Sequence, residues 1–108
     1  MAELTWTVPM TGLNEKAFRT LSEDVARRYV GVEVTVELEA ADTMTAFFEV
    51  PEDAEGPAAT LELSVYDLGR DGRVLSVEEE ASDNRARWDD ACQLGEELAE
   101  ELDGDVLD

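Results

Sequence analysis

The chain has 108 residues, a length that suits one hydrophobic core and is short for two. Its 28 Asp and Glu against 8 Lys and Arg give a formal charge of −20, but a 44% share of hydrophobic residues excludes a disordered acidic chain. The single cysteine, Cys92, excludes an intrachain disulfide, and the lack of histidine excludes Ser-His and Cys-His catalysis.

The basic residues are almost all arginine, with Lys16 as the sole lysine. At ordinary ionic strength so acidic a surface repels itself, whereas near 1 M salt the Debye length falls to about 3 Å and screens the repulsion. Strong acidity with scarce lysine resembles the small acidic proteins of halophilic archaea, and this resemblance implies a salt-rich cytoplasm. The alternative is an acidic partner-binding protein or nucleic-acid mimic from a low-salt organism, in which the charge should come in blocks.

Alternating apolar and polar residues predict a first strand over residues 4–8, which Pro9 ends. A helix is then expected after the N-cap residue Asn14, because apolar residues follow at steps of three and four. This apolar stripe consists of Phe18, Leu21, Val25 and Tyr29. Arg27 and Arg28 are expected in the last helical turn, where they would complement the helix dipole.

After Gly31, alternation predicts four strands over residues 32–39, 43–50, 61–66 and 74–78. In the last hairpin, inward residues must face inward residues. This places Val65 opposite Val77 and Asp67 opposite Leu75, so that residues 70–72 form a three-residue loop.

A final helix is expected to begin near Ser82 or Asp83 and to bury one apolar stripe. That stripe consists of Trp88, Ala91, Gly95, Leu98 and Leu102. Residues 1–103 are predicted to form a single α+β domain, and residues 104–108 an acidic C-terminal tail. The predicted fold is a two-layer sandwich, an antiparallel sheet with β-α-β-β-β-β-α order and both helices on one face. This order resembles the TATA-binding-protein-like fold in topology, without a residue motif of that family.

The segment from Asp67 to Glu78 partly resembles an EF-hand calcium loop, with Asp71 also at a matching position. Gly69 stands where a further oxygen ligand should be, and strands are predicted on both sides. We therefore predict a structural hairpin, with Asp67, Asp71 and Glu78 as a weak metal-site candidate. No catalytic residue, metal or cofactor is otherwise predicted.

The outward face of the predicted sheet carries acidic residues and no arginine, which argues against nucleic acid as a partner. These residues are Glu33, Glu37, Glu49, Glu62 and Glu78. No stretch approaches 18 apolar residues and no signal peptide is recognised, so we expect a cytoplasmic protein without membrane contact. Arg85 and Arg87 stand at a helix start, where positive charge is unfavourable, and Arg85 is expected to pair with Asp89.

Phe47, Tyr66 and Val74 interrupt the polar outward face and are the predicted partner-binding residues. We expect a non-catalytic binding or assembly module that uses this open face, in the simplest form as a homodimer. The alternative is a small-ligand or metal-binding protein, with its site between sheet and helices or in the loop from Asp67 to Glu78. An enzyme comes third, because the usual pairs of nucleophile and base are missing.

Overall fold

The computed structural model describes residues 3–8, 14–40, 43–54, 56–67, 73–79 and 84–106. The strands are β1 (Glu3–Val8), β2 (Glu33–Ala40), β3 (Thr43–Val50), β4 (Ala59–Asp67), β5 (Arg73–Glu78) and β6 (Asp105–Val106). The helices are α1 (Glu15–Ala26) and α2 (Trp88–Glu101), and a 3-10 turn at Asn84–Arg87 precedes α2. The predicted α+β class is confirmed. The sequence interpretation ended the domain at residue 103, whereas Asp105–Val106 pairs with β1 as a short further strand.

The strands form one antiparallel sheet in the order β2-β3-β4-β5-β1-β6. The chain-order neighbours from β2 to β5 form a meander, and β1 joins it beside β5. Helix α1 packs on β2 and β3, while α2 packs on β1, β4 and β5 and also touches α1. Both helices therefore cover one face of the sheet, as in a two-layer sandwich.

The core lies between the helices and the inward residues of the strands, and alternation along each strand selects these residues. Its largest fully buried side chains are Phe18, Phe48, Leu61, Leu63, Leu75 and Leu98. Trp6 packs against α2 at Gly95, where an added Cβ would lie 2.7 Å from the indole ring. The glycine thus lets the strand and the helix approach closely. Within the described ranges, neither helix is long and apolar enough to cross a membrane.

Helix α1 begins as predicted, because the Asn14 side chain caps it by accepting a hydrogen bond from the Ala17 amide at 2.9 Å. It ends earlier than predicted, at Ala26, so Tyr29 lies beyond it. The expectation that Arg27 and Arg28 lie in its last turn is wrong. Instead, Arg28 forms ion pairs with two glutamates of α2, and these hydrogen bonds raise its pKa. The glutamates are Glu97 and Glu101.

The β4–β5 pairing keeps the predicted orientation of inward residues but differs from the predicted register by two residues. Val65 lies opposite Leu75, and Asp67 lies opposite Arg73. A shift of two residues leaves every side chain on its face, so the hydrophobic alternation does not distinguish the two registers. The three-residue loop is therefore wrong, since residues 68–72 connect the strands and lie outside the described residues.

Candidate functional site

The outward sheet face carries a row of hydroxyl groups across its middle. The antiparallel register aligns Thr45 with Ser64, Ser64 with Ser76, and Ser76 with Thr5. None of the described helices lies on this face, yet Thr45 is 1% exposed and Ser76 is 3% exposed. The row is therefore sunk below the neighbouring side chains, and the face is concave at its centre.

The hydroxyls of this row differ in their hydrogen bonding. Thr45 Oγ1 and Ser64 Oγ lie 2.9 Å apart and share a hydrogen bond. Thr5 Oγ1 donates to Glu3 Oε1 at 3.1 Å. Ser76 Oγ is buried and has no hydrogen-bond partner among the described residues. Since buried polar groups are nearly always hydrogen-bonded, the lack of a partner for Ser76 Oγ is unusual.

A concavity of about 260 Å³ opens on this face between the hydroxyl row and its acidic margin. It is lined by Thr43, Glu62, Ser64, Tyr66, Ser76 and Glu78. The lining offers two carboxylates, four hydroxyls and one aromatic ring, and no basic side chain. In chemical terms it suits a ligand that donates hydrogen bonds and carries positive charge.

The three predicted partner-binding residues lie on this face but in different rows. Phe47 lies opposite Glu62, whereas Tyr66 lies in the row with Val74, on the other side of the hydroxyls. Phe47 and Tyr66 are half-buried. Val74 is 1% exposed and so offers no accessible surface of its own.

The hairpin geometry separates the ends of the metal-site candidate. Asp67 pairs with Arg73 at one end of β5, and Glu78 ends the same strand five residues further on. At the usual rise per residue this is about 17 Å along the strand. Asp71 lies outside the described residues, and among the described ones no group of three His, Cys, Asp or Glu side chains is placed to hold a metal.

The sequence interpretation gave no role to Arg87, which is the most deeply buried charged residue in the described part of the chain, at 4% exposure. Its Nε donates to the Pro57 carbonyl at 2.9 Å, and Nη1 donates to Asp90 Oδ2 at 2.9 Å. Nη2 donates to Asp53 Oδ1 at 3.0 Å and to the Gly56 carbonyl at 2.8 Å. The only signal in the sequence was a positive charge at an unfavourable helix position.

The side-chain hydrogen bonds to the two aspartates raise the pKa of Arg87. The bond to Asp53 has the larger effect, and the bond to Asp90 has the next largest. Asp90, in the first turn of α2, forms an ion pair with Arg87. A cleft of about 300 Å³ adjoins the guanidinium, and the fully exposed Val30 is another of its lining residues. Because the N–H groups of Arg87 already have protein acceptors, we assign this cluster to fold stability rather than to ligand binding.

Cys92 is a weak nucleophile in this setting. It is only partly exposed, and burial together with the nearby Asp89 raises the pKa of its thiol. The reactive form of cysteine is the thiolate, so a raised pKa reduces reactivity near neutral pH.

Comparison with known proteins finds no relative for this chain: no family model, no curated protein and no solved structure matches it.

Proposed function

We propose that this chain is a non-catalytic binding module of a salt-rich cytoplasm and that its outward sheet face holds a positively charged partner. The observation that carries the proposal is the concavity of about 260 Å³ at the centre of that face. The opposite face already packs on both helices and supplies the core. A sheet face whose central row of hydroxyls is uncharged and whose margin is charged matches the depletion of charged residues at the centre of protein interfaces.

Charge selects the class of partner. The described outward residues of the strands include Glu33, Glu49, Glu62 and Glu78, and no lysine or arginine. Arg73 lies on the same side of β5 as Leu75 and Val77, which belong to the face that the helices cover. Complementary charge steers association and disfavours partners of the same sign.

Nuclear magnetic resonance of the ¹⁵N-labelled chain in 1 M KCl, titrated with a lysine-rich peptide, tests this proposal. At that salt concentration long-range electrostatic attraction is screened, so any binding that remains reflects direct contact between the peptide and the sheet face. We expect amide shifts on β3, β4 and β5 and weaker binding after Glu62→Gln. Glu96→Gln removes the same charge from the exposed side of α2 and should leave binding unchanged. Shifts spread over all acidic surfaces, or equal loss in both variants, would contradict the proposal.

Self-association is the second candidate function, and the half-buried aromatics Phe47 and Tyr66 on the same face favour it. Molar salt screens the repulsion between two acidic faces and leaves apolar attraction intact. In that case light scattering in molar KCl should give a dimer, and Phe47→Glu should give a folded monomer. A wild-type monomer removes this candidate, and a Phe47→Glu chain that unfolds means that Phe47 supports the fold.

A further inference from the structure

Ser76 Oγ points to a more specific role for the concavity. This residue is 3% exposed, its oxygen has no hydrogen-bond partner among the described residues, and it lines the concavity. Its neighbour in the row, Ser64, already shares a hydrogen bond with Thr45. A buried oxygen without a partner carries a desolvation penalty, and a donor brought by a ligand would remove it.

The other lining groups restrict what that ligand is. The carboxylates of Glu62 and Glu78 attract positive charge and repel anions. The described residues offer no third carboxylate for a tightly held metal ion. The volume of about 260 Å³ lies just below the usual range of pockets for drug-sized molecules, so it suits one side chain or a small group.

We infer that the concavity binds one primary ammonium group, that of a lysine side chain of the partner. This inference rests on the proposed function. An ammonium has three N–H donors, which match Ser76 Oγ and the carboxylates of Glu62 and Glu78. The Tyr66 ring at the wall packs against the aliphatic part of the lysine. Ser76 Oγ is covered in the free chain, so its contact with the ammonium requires side chains that cover it to move aside.

The test uses n-butylammonium chloride as the probe, titrated into the ¹⁵N-labelled chain in 1 M KCl. Butyltrimethylammonium has the same charge and the same butyl chain but no N–H donor. Its affinity should be lower than that of n-butylammonium by a factor of about ten or more. Ser76→Ala should weaken n-butylammonium binding by about tenfold. Thr5→Ala removes a hydroxyl from the same row outside the concavity and should leave the affinity unchanged.

A stability measurement separates a ligand role for Ser76 from a purely structural one. If the hydroxyl is held for a ligand, Ser76→Ala should raise Tm while it weakens binding, because it removes an unsatisfied buried group. A lower Tm with unchanged binding would overturn the inference. Equal binding of the two probes, or shifts caused equally by raising KCl, would overturn it as well.

The outcomes also separate this inference from the proposed function. If the lysine-rich peptide maps to the face and Glu62→Gln weakens it, while Ser76→Ala does not, the binding face stands and the ammonium site fails. If n-butylammonium binds at Ser76 but the peptide does not bind, the assignment to a partner's lysine fails in favour of a free amine.

Discussion

Arg87 fastens the segment between β3 and β4 to the start of α2. Its guanidinium donates to three backbone carbonyls of that segment, at Pro51, Gly56 and Pro57. It also pairs with Asp53 of the segment and Asp90 of α2. One planar fork with five donors meets all these acceptors, which an ammonium on a flexible stem does not.

We therefore expect Arg87→Lys to lower Tm and to speed proteolysis of residues 51–57. The control is Arg27→Lys, since Arg27 follows the end of α1, is 71% exposed in its side chain and forms an exposed ion pair with Asp24. Exposed ion pairs contribute little to stability, so the control should leave Tm nearly unchanged. Equal effects of the two substitutions in thermal melts and limited proteolysis would refute the role assigned to Arg87.

Gly95 reverses the usual preference for alanine in a helix. Alanine in a helix interior is normally more stable than glycine by about 1 kcal/mol. Here the added Cβ would lie 2.7 Å and 2.8 Å from two atoms of the Trp6 ring, so Gly95→Ala should lower the free energy of unfolding. We expect a loss of about 1–3 kcal/mol, as for other overpacked cores. Chemical denaturation measures it, with the exposed Gln93→Ala as the control for helix propensity; a gain in stability at Gly95 would contradict the close packing.

At the level of elements, α2 ends in a Schellman motif. The Gly104 amide donates to the Ala99 carbonyl at 2.7 Å, and the Asp103 amide donates to the Glu100 carbonyl at 3.2 Å. This places Asp103 at a φ of 56°, in the left-handed region that favours glycine. Helix end and short strand β6 are therefore joined through a residue that is poorly suited to its conformation.

Asp103→Gly should raise the free energy of unfolding by about 0.5–1 kcal/mol, because glycine adopts the left-handed conformation without the steric cost. Thermal melts in molar KCl measure the change, which corresponds to roughly 4–8 °C per kcal/mol for a domain near this size. Asp103→Ala removes the same charge without relieving the conformation and serves as the control. If both variants gain equally, charge and not backbone conformation limits stability at this position.

For the whole molecule, the property with the largest consequence is the formal charge of −20 on 108 residues. Among the residues that the structure describes, most acidic side chains are exposed, and a few are paired, as at Arg28 and Arg87. Repulsion among the others falls as the Debye length shortens from about 10 Å at 0.1 M to about 3 Å at 1 M salt. The folded state is therefore expected to depend on salt more than most domains of this size.

We predict that secondary structure is lost or loosened when KCl is reduced from molar to millimolar concentration. Circular dichroism during dialysis, followed by melts at each salt concentration, measures this. Sodium sulfate at matched ionic strength is a useful comparison, since it adds the exclusion effect on apolar burial to the same screening. An unchanged spectrum and Tm in millimolar KCl would remove the support for a protein adapted to a salt-rich cytoplasm.

The features that could be read from the amino-acid sequence are local ones. Alternation assigned Val36, Phe48, Leu63 and Leu75 to the core face, because successive side chains of a strand point to opposite sides. The N-cap at Asn14 was equally readable, since the capping oxygen and the amide it serves are three residues apart. Both depend only on residues close together in the chain.

The features that became visible only in the folded chain depend on distant segments. The β4–β5 register was ambiguous by two residues, since either register keeps the hydrophobic faces matched. The burial of Arg87 depends on a segment that lies 30 or more residues earlier in the chain. Ser76 looked like any polar residue on an outward face, and its burial and unpaired oxygen depend on residues that the register of four strands brings together. Period-two patterning specifies which face a side chain is on, whereas the depth and partners of that side chain are set by non-local packing.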